Sequence, residues 1–270
     1  FQFDLMDMDG EGSKWNAIPL DVPKLKRIVA AWQGAIDWNT LFLGNHDQPR
    51  VVSRFGDTSS EELWKRSAKC LATLMYLQRG TPFIYQGEEL GMTNAPFETR
   101  EQLRDVEELN LLALCSSEAE LEWAWRGIKA KGRDNARTPM QWSAGKNADF
   151  TTGEPWIMLN PNYTDINAEA EEGDPDSVLN YYRALIALRD STQALLRGDW
   201  RELLPESGQV VAYTRGLDGE EYAVLCNLSR ESAPLPCRLG DFGEPVLSNM
   251  PADPAAEALR PYEAQVLKKG

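Results

Sequence analysis

The sequence predicts a mixed α/β fold that is followed by a small antiparallel β domain. Over residues 1–90, short apolar runs that predict strands alternate with amphipathic helical segments, and each run precedes a polar loop. Such alternation indicates parallel strands joined by helical crossovers. Nearer the C terminus, apolar runs are separated by turn residues such as Asp218 and Gly219, which are typical of hairpins. We therefore expect an α/β part over 1–192 and an all-β part over 193–270.

The first two elements follow from apolar patterning. Residues 1–6 predict a strand because large apolar side chains alternate with polar ones. Residues 22–36 carry apolar side chains at intervals of three and four, which predicts a helix packed on one face. Asp21 stands directly before this segment, where an N-cap belongs.

The next three elements repeat the same order. Residues 40–43 predict a short strand. Ser59 and Glu62 have the spacing of a capping box, so a second helix is expected to begin there and to end at Gly80. Residues 81–85 then predict another apolar strand. The alternation therefore continues through three strands.

Residues 98–172 interrupt this alternation as a long insertion. They predict a helix near 99–130 and then a loop rich in Asn, Pro, Gly and Trp. Long ordered loops at strand ends tend to carry function. Asp174 and Pro175 predict the start of the next helix, with Asp174 as its cap. The C-terminal strands are expected near 210–215, 222–228, 244–248 and 262–268.

Composition restricts the class of protein. The 270 residues include 42% hydrophobic side chains, enough for a substantial core. A net charge of −14 argues against nucleic acid and anionic membranes as partners and favours a neutral or modestly charged small molecule. No apolar run reaches the ~18 residues of a membrane span, and no signal peptide is evident. The chain starts without Met inside a predicted strand, so we expect it to be part of a longer gene product.

The cysteines predict a reducing compartment. They show no metal-ligand spacing, and two of them fall within apolar segments. Reduced thiols in the cytoplasm are therefore expected. The four positions are Cys70, Cys115, Cys226 and Cys237.

The only histidine of the chain marks a candidate site. His46 lies between Asn45 and Asp47, directly after a predicted strand. Together with Arg50, this loop offers donors, acceptors and both signs of charge, which suits a hydroxyl-rich ligand. The alternative is a strand cap, in which His46 bonds a backbone carbonyl and Asp47 begins a turn.

Three segments in register carry a resemblance to a known family. They are residues 42–50, 80–94 and 133–142. Over nearly all of 1–190 the chain closely resembles the α-amylase superfamily of retaining glycoside hydrolases, within the oligo-1,6-glucosidase, dextran glucosidase and trehalose-6-phosphate hydrolase group. The resemblance implies that the predicted strands are the sixth to eighth of a (β/α)8 TIM barrel and that a small antiparallel β-sandwich follows. Active sites of such barrels form at the C-terminal strand ends.

The resemblance also implies roles for individual residues. Asp47 matches the carboxylate that stabilises the oxocarbenium-like transition state, and His46 would bond the same sugar ring. Arg137 and Arg133 match arginines that hold the terminal glucose, and Arg50 would shape the neighbouring +1 position. For Arg133, a structural salt bridge to an acidic residue is an equal alternative.

The catalytic pair is expected outside this chain. A retaining glycosidase needs two carboxyl groups ~5 Å apart. The resemblance implies that the nucleophilic Asp and the acid Glu lie on the fourth and fifth strands, upstream of residue 1. Glu88 and Glu89 do not replace them, because adjacent residues at a strand end point in different directions, and we interpret both as fixing their loop. No metal or cofactor is expected. A cluster of acidic residues near the start of the chain does not have the residue order of a calcium-binding loop, so we expect a solvated loop there. Its members are Asp4, Asp7, Asp9 and Glu11.

Two hypotheses of function follow. In the first, the chain is the C-terminal portion of a cytoplasmic exo-acting α-glucosidase that cleaves short α-1,6-linked oligosaccharides, with trehalose-6-phosphate hydrolase as a close variant. In the second, it is a truncated, inactive protein that binds sugar weakly or associates with a partner. The expected partners are a small α-glucoside or oligosaccharide and a missing N-terminal barrel portion supplied as a separate chain.

Overall fold

The structure is a computed structural model that describes residues 1–234, 239–251, 253 and 257–270. Cys237 lies outside the described residues. The helices are α1 (Val22–Ala35), α2 (Val51–Phe55), α3 (Glu61–Tyr76), α4 (Val106–Leu114), α5 (Glu118–Lys131), α6 (Asp134–Arg137), α7 (Ala168–Gly173), α8 (Val178–Ser191) and α9 (Gln193–Arg197). The strands are β1 (Asn39–Leu41), β2 (Gly80–Pro82), β3 (Asp199–Leu203), β4 (Val210–Leu217), β5 (Glu220–Asn227), β6 (Ala233–Pro234), β7 (Phe242–Ser248), β8 (Ala258–Leu259) and β9 (Ala264–Lys269).

The parallel pairing predicted for the α/β part is present between β1 and β2. Asn39 lies opposite Gly80 and Leu41 opposite Pro82, and α3 makes the connection between the two strands. Gly80 has φ +148°, and a Cβ there would come within 2.3 Å of the Asn39 carbonyl oxygen. Only glycine therefore allows the strands to meet at this position.

The prediction of a strand over residues 1–6 is wrong. The Phe3 carbonyl accepts hydrogen bonds from the amides of Met6 at 2.8 Å and Asp7 at 3.0 Å, so the chain turns. Leu5 and Met6 are nevertheless buried in the main core. A turn buries these apolar side chains as well as a strand would. The alternating pattern alone therefore does not distinguish a turn from a strand.

Local hydrogen bonds move the start of α3 by one residue. α1 begins as predicted at Asp21, whose side chain accepts the Lys24 amide at 2.8 Å. In α3 the cap is Ser60 instead of Ser59. The Ser59 amide is bound by the Asp57 carboxylate at 3.0 Å, which holds Ser59 in the preceding turn.

The start of α8 also differs from the prediction. The Asp174 carboxylate accepts the Asp176 amide at 2.9 Å and forms a turn of its own. Ser177 then caps the helix by accepting the Asn180 amide at 3.0 Å. The helix therefore begins three residues later than the Asp174-Pro175 pattern indicates.

The single helix predicted near 99–130 is two helices. α4 ends before Cys115, and α5 begins after Ser117. Ser117 and Glu120 form a capping box, which competes with continuation of the helix because it satisfies the first amides of a new one.

The C-terminal part forms an antiparallel sheet, as predicted. Its five strands are ordered β3-β4-β5-β9-β7, and β6 pairs separately with β8. β4 and β5 are joined by Asp218 and Gly219 with φ of 51° and 86°. Positive φ at both positions matches the right-handed twist of a two-residue hairpin.

One buried arginine joins the sheet to the helices. Arg215 on β4 is fully buried and donates to the carbonyls of Leu77 at 2.5 Å, Leu195 at 2.7 Å and Gly198 at 2.9 Å. Burial lowers its pKa to about 10. Arg215 thereby holds the sheet, α3 and α9 together. Over the described part of the chain, the helices are all too short or too polar to cross a membrane.

Candidate active site

The loop between β1 and α2 presents the candidate residues. The Asn45 side chain accepts the Asp47 amide at 2.8 Å, and the Asn45 carbonyl accepts the Gln48 amide at 3.2 Å. This turn leaves the side chains of His46 and Asp47 72% and 42% exposed, with His46 Nε2 3.3 Å from Asp47 Oδ2. The imidazole therefore contacts the neighbouring carboxylate at the end of the strand.

Two arginines reach Asp47 from a distant part of the chain. Arg137 Nη2 donates to Asp47 Oδ1 at 2.9 Å, and Arg137 Nε donates to the His46 carbonyl at 2.9 Å. Arg133 Nη1 lies 3.5 Å from the same Asp47 oxygen. Arg137 ends α6, and Arg133 directly precedes that helix. The fold thus brings four of the five predicted site residues into one cluster.

A residue that the sequence reasoning missed holds both arginines. Asp105 accepts from Arg133 Nε at 2.8 Å and from Arg137 Nη1 at 2.5 Å, and its side chain is 1% exposed. Burial raises the pKa of Asp105, but the bonds from Arg133, the Glu107 amide and Arg137 outweigh it and hold the pKa below its usual value. Asp105 is also the N-cap of α4, a pattern visible in the sequence. The sequence does not show the contact with the arginines.

Buried carboxyl groups fix the position of Asp105. The Asp134 carboxylate accepts the amides of Arg104 at 2.6 Å and Asp105 at 3.0 Å, and Glu108 accepts the Asp134 amide at 3.0 Å. Glu108 is fully buried, and burial, with the nearby charges of Asp134 and Asp105, raises its pKa to about 8. These reciprocal bonds join the starts of α4 and α6, which carry the residues around Asp47.

Arg50 is buried and binds protein groups, so it does not present its guanidinium to a ligand. Its residue is 3% exposed, and it donates to the Gln86 carbonyl at 2.7 Å, the Asn135 carbonyl at 3.0 Å and Thr138 Oγ1 at 3.2 Å. Burial lowers its pKa to about 10. Arg50 therefore ties the loop after β1 to the loop after β2 and to α6, and its guanidinium is committed to protein acceptors.

Glu88 and Glu89 fix the loop after β2. Glu88 accepts from the hydroxyls of Tyr76 and Tyr182, the latter at 3.1 Å. Burial raises the pKa of Glu88 to about 7, against the tyrosine hydrogen bonds, which lower it. Glu89 accepts the Gly87 amide at 2.8 Å. These contacts agree with the structural interpretation of both residues.

The solvated loop expected for four acidic residues is confirmed for Asp4, Asp7 and Glu11, which are exposed, and is wrong for Asp9. Asp9 is 3% exposed, and its carboxylate binds Arg54 Nε at 2.8 Å and Lys131 Nζ at 2.5 Å. Two cations offset the cost of burying the carboxylate. Burial, together with the Arg54 charge, lowers the pKa of Lys131 to about 8. Within the described residues, no group of three or more His, Cys, Asp or Glu side chains is placed to hold a metal ion.

The geometry suits hydroxyl binding and stabilisation of positive charge. Asp47 and His46 expose acceptor and donor atoms, and Arg137 fixes the orientation of the carboxylate. The nearby carboxylates, Asp105 and Glu107, are bound by Arg133. The carboxylate of the cluster that is left for a ligand is therefore that of Asp47, since the two nearest carboxylates are held in ion pairs.

Comparison with known proteins finds one family. The model of the alpha amylase catalytic domain matches residues 1–198. A probable oligo-1,6-glucosidase 2 of Bacillus subtilis is 44% identical over 98% of this chain and 49% of its own length. A trehalose-6-phosphate hydrolase of Escherichia coli is 43% identical over 94% of the chain and 47% of its own length.

Solved structures give the same result. The crystal structure of Bacillus licheniformis trehalose-6-phosphate hydrolase superimposes with a TM-score of 0.92 at 38% identity, covering 99% of this chain and 50% of that one. The chain therefore spans about half the length of the curated relatives and of the solved structure that it matches.

Proposed function

This chain belongs to the family of α-amylase catalytic domains, and we propose that it is the C-terminal portion of a retaining exo-α-glucosidase that hydrolyses short α-1,6-linked oligosaccharides. The observation that carries the proposal is the exposed carboxylate of Asp47, fixed at a strand end by Arg137. The proposal assigns 1–192 to the C-terminal part of the barrel, which includes β1 and β2 and the insertion at 98–172, and 193–270 to the terminal β domain.

In this proposal the residues around Asp47 have distinct roles in binding the sugar and stabilising the transition state. Asp47 binds sugar hydroxyls beside the reacting carbon and stabilises the positive charge that develops there, because a fixed carboxylate requires no reorganisation during the reaction. His46 bonds the same ring. Arg133 and Arg137 orient Asp47 and border the bound glucose, while Arg50 acts as a positioning residue by connecting its own loop to the Gln86 carbonyl.

The catalytic nucleophile and acid come from another portion of the barrel. We propose that this portion is the partner of the face beside the end of β2, where Phe1 and Phe83 are 70% and 42% exposed and their ring centroids lie 4.7 Å apart. Large exposed aromatic side chains that lie near one another mark interaction surfaces. The free, buried thiols of Cys70 and Cys226 support a cytoplasmic location.

Trehalose-6-phosphate hydrolase is the second candidate. It is favoured by relatives of that name at 43% and 40% identity. Assays with isomaltose and with trehalose 6-phosphate distinguish the two, since a phosphate-specific enzyme requires the charged substrate.

The proposal is tested with and without the rest of the barrel. The chain alone, purified free of host glucosidase, should release no glucose from an aryl α-glucoside, and release would contradict the assignment of the catalytic pair to another portion. In a protein that also contains the first five strands, Asp47→Asn should lower kcat by a factor of about 10³ or more without unfolding it. A variant at the exposed residue Glu169 serves as the control. Near-normal turnover of Asp47→Asn would remove Asp47 from the mechanism, and an inactive full-length protein would favour the inactive remnant.

A further inference from the structure

A polar cleft separate from the residues around Asp47 lies against α3. It has a volume of about 920 Å³ and runs between the N-terminal half of α3 and residues 162–174. We name it the α3 cleft. This volume is within the range of small-molecule sites, about 300–1,000 Å³. Side chains that line it include Ser53, Thr58, Ser60, Glu61, Trp64 and Asp165.

Hydroxyl groups on one wall of the α3 cleft have O–H donors that are free to bind a ligand. Ser53 Oγ accepts the Asn94 amide at 2.9 Å, and Ser60 Oγ accepts the Leu63 amide at 3.2 Å. A serine that accepts a backbone amide still has its own O–H available. Thr58 adds a third hydroxyl to the same wall. The wall can therefore donate to oxygen atoms of a ligand.

The charges of the cleft argue against an anionic ligand. Lys65 Nζ lies 3.2 Å from Glu61 Oε1 and 3.0 Å from Asp174 Oδ2, so two carboxylates neutralise its charge. Asp165, on the opposite wall, is exposed and adds a further carboxylate. Carboxylate oxygens accept hydrogen bonds from hydroxyl groups, and they repel phosphate and sulfate.

The floor of the cleft combines a buried carboxyl group with an aromatic ring. Glu171 is 5% exposed; its Oε2 accepts the Leu179 amide at 2.9 Å, and its Oε1 has no hydrogen-bond partner. Burial raises the pKa of Glu171 to about 7. Trp64 also lines the cleft, but it is 7% exposed and packs in the main core; its Nε1 donates to the Gly91 carbonyl at 2.7 Å, so only a small hydrocarbon part of its ring faces the cleft. An apolar ring surface beside hydrogen-bonding groups suits a pyranose.

We propose that the α3 cleft is a second carbohydrate-binding site, which takes a short neutral oligosaccharide independently of Asp47. Hydroxyl donors, carboxylate acceptors and an aromatic surface match the alternating hydroxyl and C–H groups of a sugar. Among the described residues that line the cleft, Lys65 is the cationic side chain, and its two carboxylate partners leave it unable to select an anionic ligand. A protein that acts on glucosides would thus hold a second sugar against α3.

Isomaltose titration followed by NMR tests the proposal on the chain as it is. The Trp64 indole N–H resonance, assigned with Trp64→Phe, reports the cleft. Ala170→Trp fills the cleft from an exposed position on α7, whereas Glu169→Trp places the same side chain beside it, on a residue that does not line the cleft. Isomaltose should shift the Trp64 signal saturably in the wild type and in Glu169→Trp. The shift should disappear in Ala170→Trp.

Further variants make the outcome decisive. Asp165→Ala should weaken binding roughly tenfold, the effect of losing one charge-assisted hydrogen bond. Asp47→Asn should leave the Trp64 shift unchanged, so that failure of the proposed function at Asp47 is recognised separately. No shift with isomaltose in the wild type, an equal shift in Ala170→Trp, or a shift with putrescine but not with isomaltose would each overturn the proposal.

Discussion

Asp105 gives the sharpest test of how this site is held together. Asp105→Asn removes the carboxylate that binds Arg133 and Arg137, but asparagine still caps α4, so the change isolates the charge from the cap. Three charge-assisted hydrogen bonds connect Asp105 with the arginines. Each contributes about 1.5–3 kcal/mol when buried.

The expected loss is smaller than their sum. The side chains of Arg133 and Arg137 are 25% and 23% exposed, so water recovers part of the interaction, and the Asn oxygen still accepts one bond. We expect Asp105→Asn to lower the free energy of unfolding by about 2–3 kcal/mol. Asp105→Ala should cost about 1 kcal/mol more because the cap is also lost.

Urea unfolding of the single and double variants provides the measurement. In a cycle of Asp105→Asn with Arg133→Met, the coupling free energy should be about 1 kcal/mol or more, because the two side chains are in direct contact. Coupling below about 0.3 kcal/mol, or an Asp105→Asn variant as stable as the wild type, would refute the claim that Asp105 holds the arginines by charge.

Two further predictions concern the buried ionisable groups. Burial raises the pKa values of Glu88, Glu108 and Glu171 to about 7, 8 and 7, so the folded chain retains protons that the unfolded chain releases above about pH 4.5. The stability that these groups contribute is complete below that pH and is lost as pH rises to 8, so the midpoint of thermal unfolding should fall over this range. Glu108→Gln should flatten the fall by about two fifths, whereas a rise in the midpoint would contradict the assignment. Asp9→Asn should lower the free energy of unfolding in urea by about 3–5 kcal/mol, since it leaves the buried cations of Arg54 and Lys131 unpaired. Adding Lys131→Met should restore part of that loss. An Asp9→Asn variant as stable as the wild type would disprove the buried ion triad.

Features with local causes could be predicted from the sequence. Asp21 caps α1 because its carboxylate is three residues from the amide it accepts, and the Asp218-Gly219 turn requires only two residues that tolerate positive φ. Where two side chains compete as helix caps, the sequence alone does not decide which one is used. Asp57 binds the Ser59 amide and moves the helix start to Ser60, a choice that depends on the geometry of the preceding turn.

The candidate site shows the same division. His46 and Asp47 could be selected as candidates because they follow a strand in a recognisable motif, and the family of the chain followed from such motifs. The roles of Asp105 and Arg50 could not, because their partners lie 28 or more residues away along the chain and their charges are compensated by contacts that only folding creates.

The sequence by itself therefore determined the family, the antiparallel C-terminal sheet and the loop that carries Asp47, since each depends on periodicity or on neighbouring residues. Tertiary structure alone decided which charges are buried. It placed Asp9 between two cations, turned Arg50 towards backbone carbonyls and brought Arg133 and Arg137 to Asp47. Burial changes the free energy of a charge far more than sequence position does, and burial is a property of the whole fold.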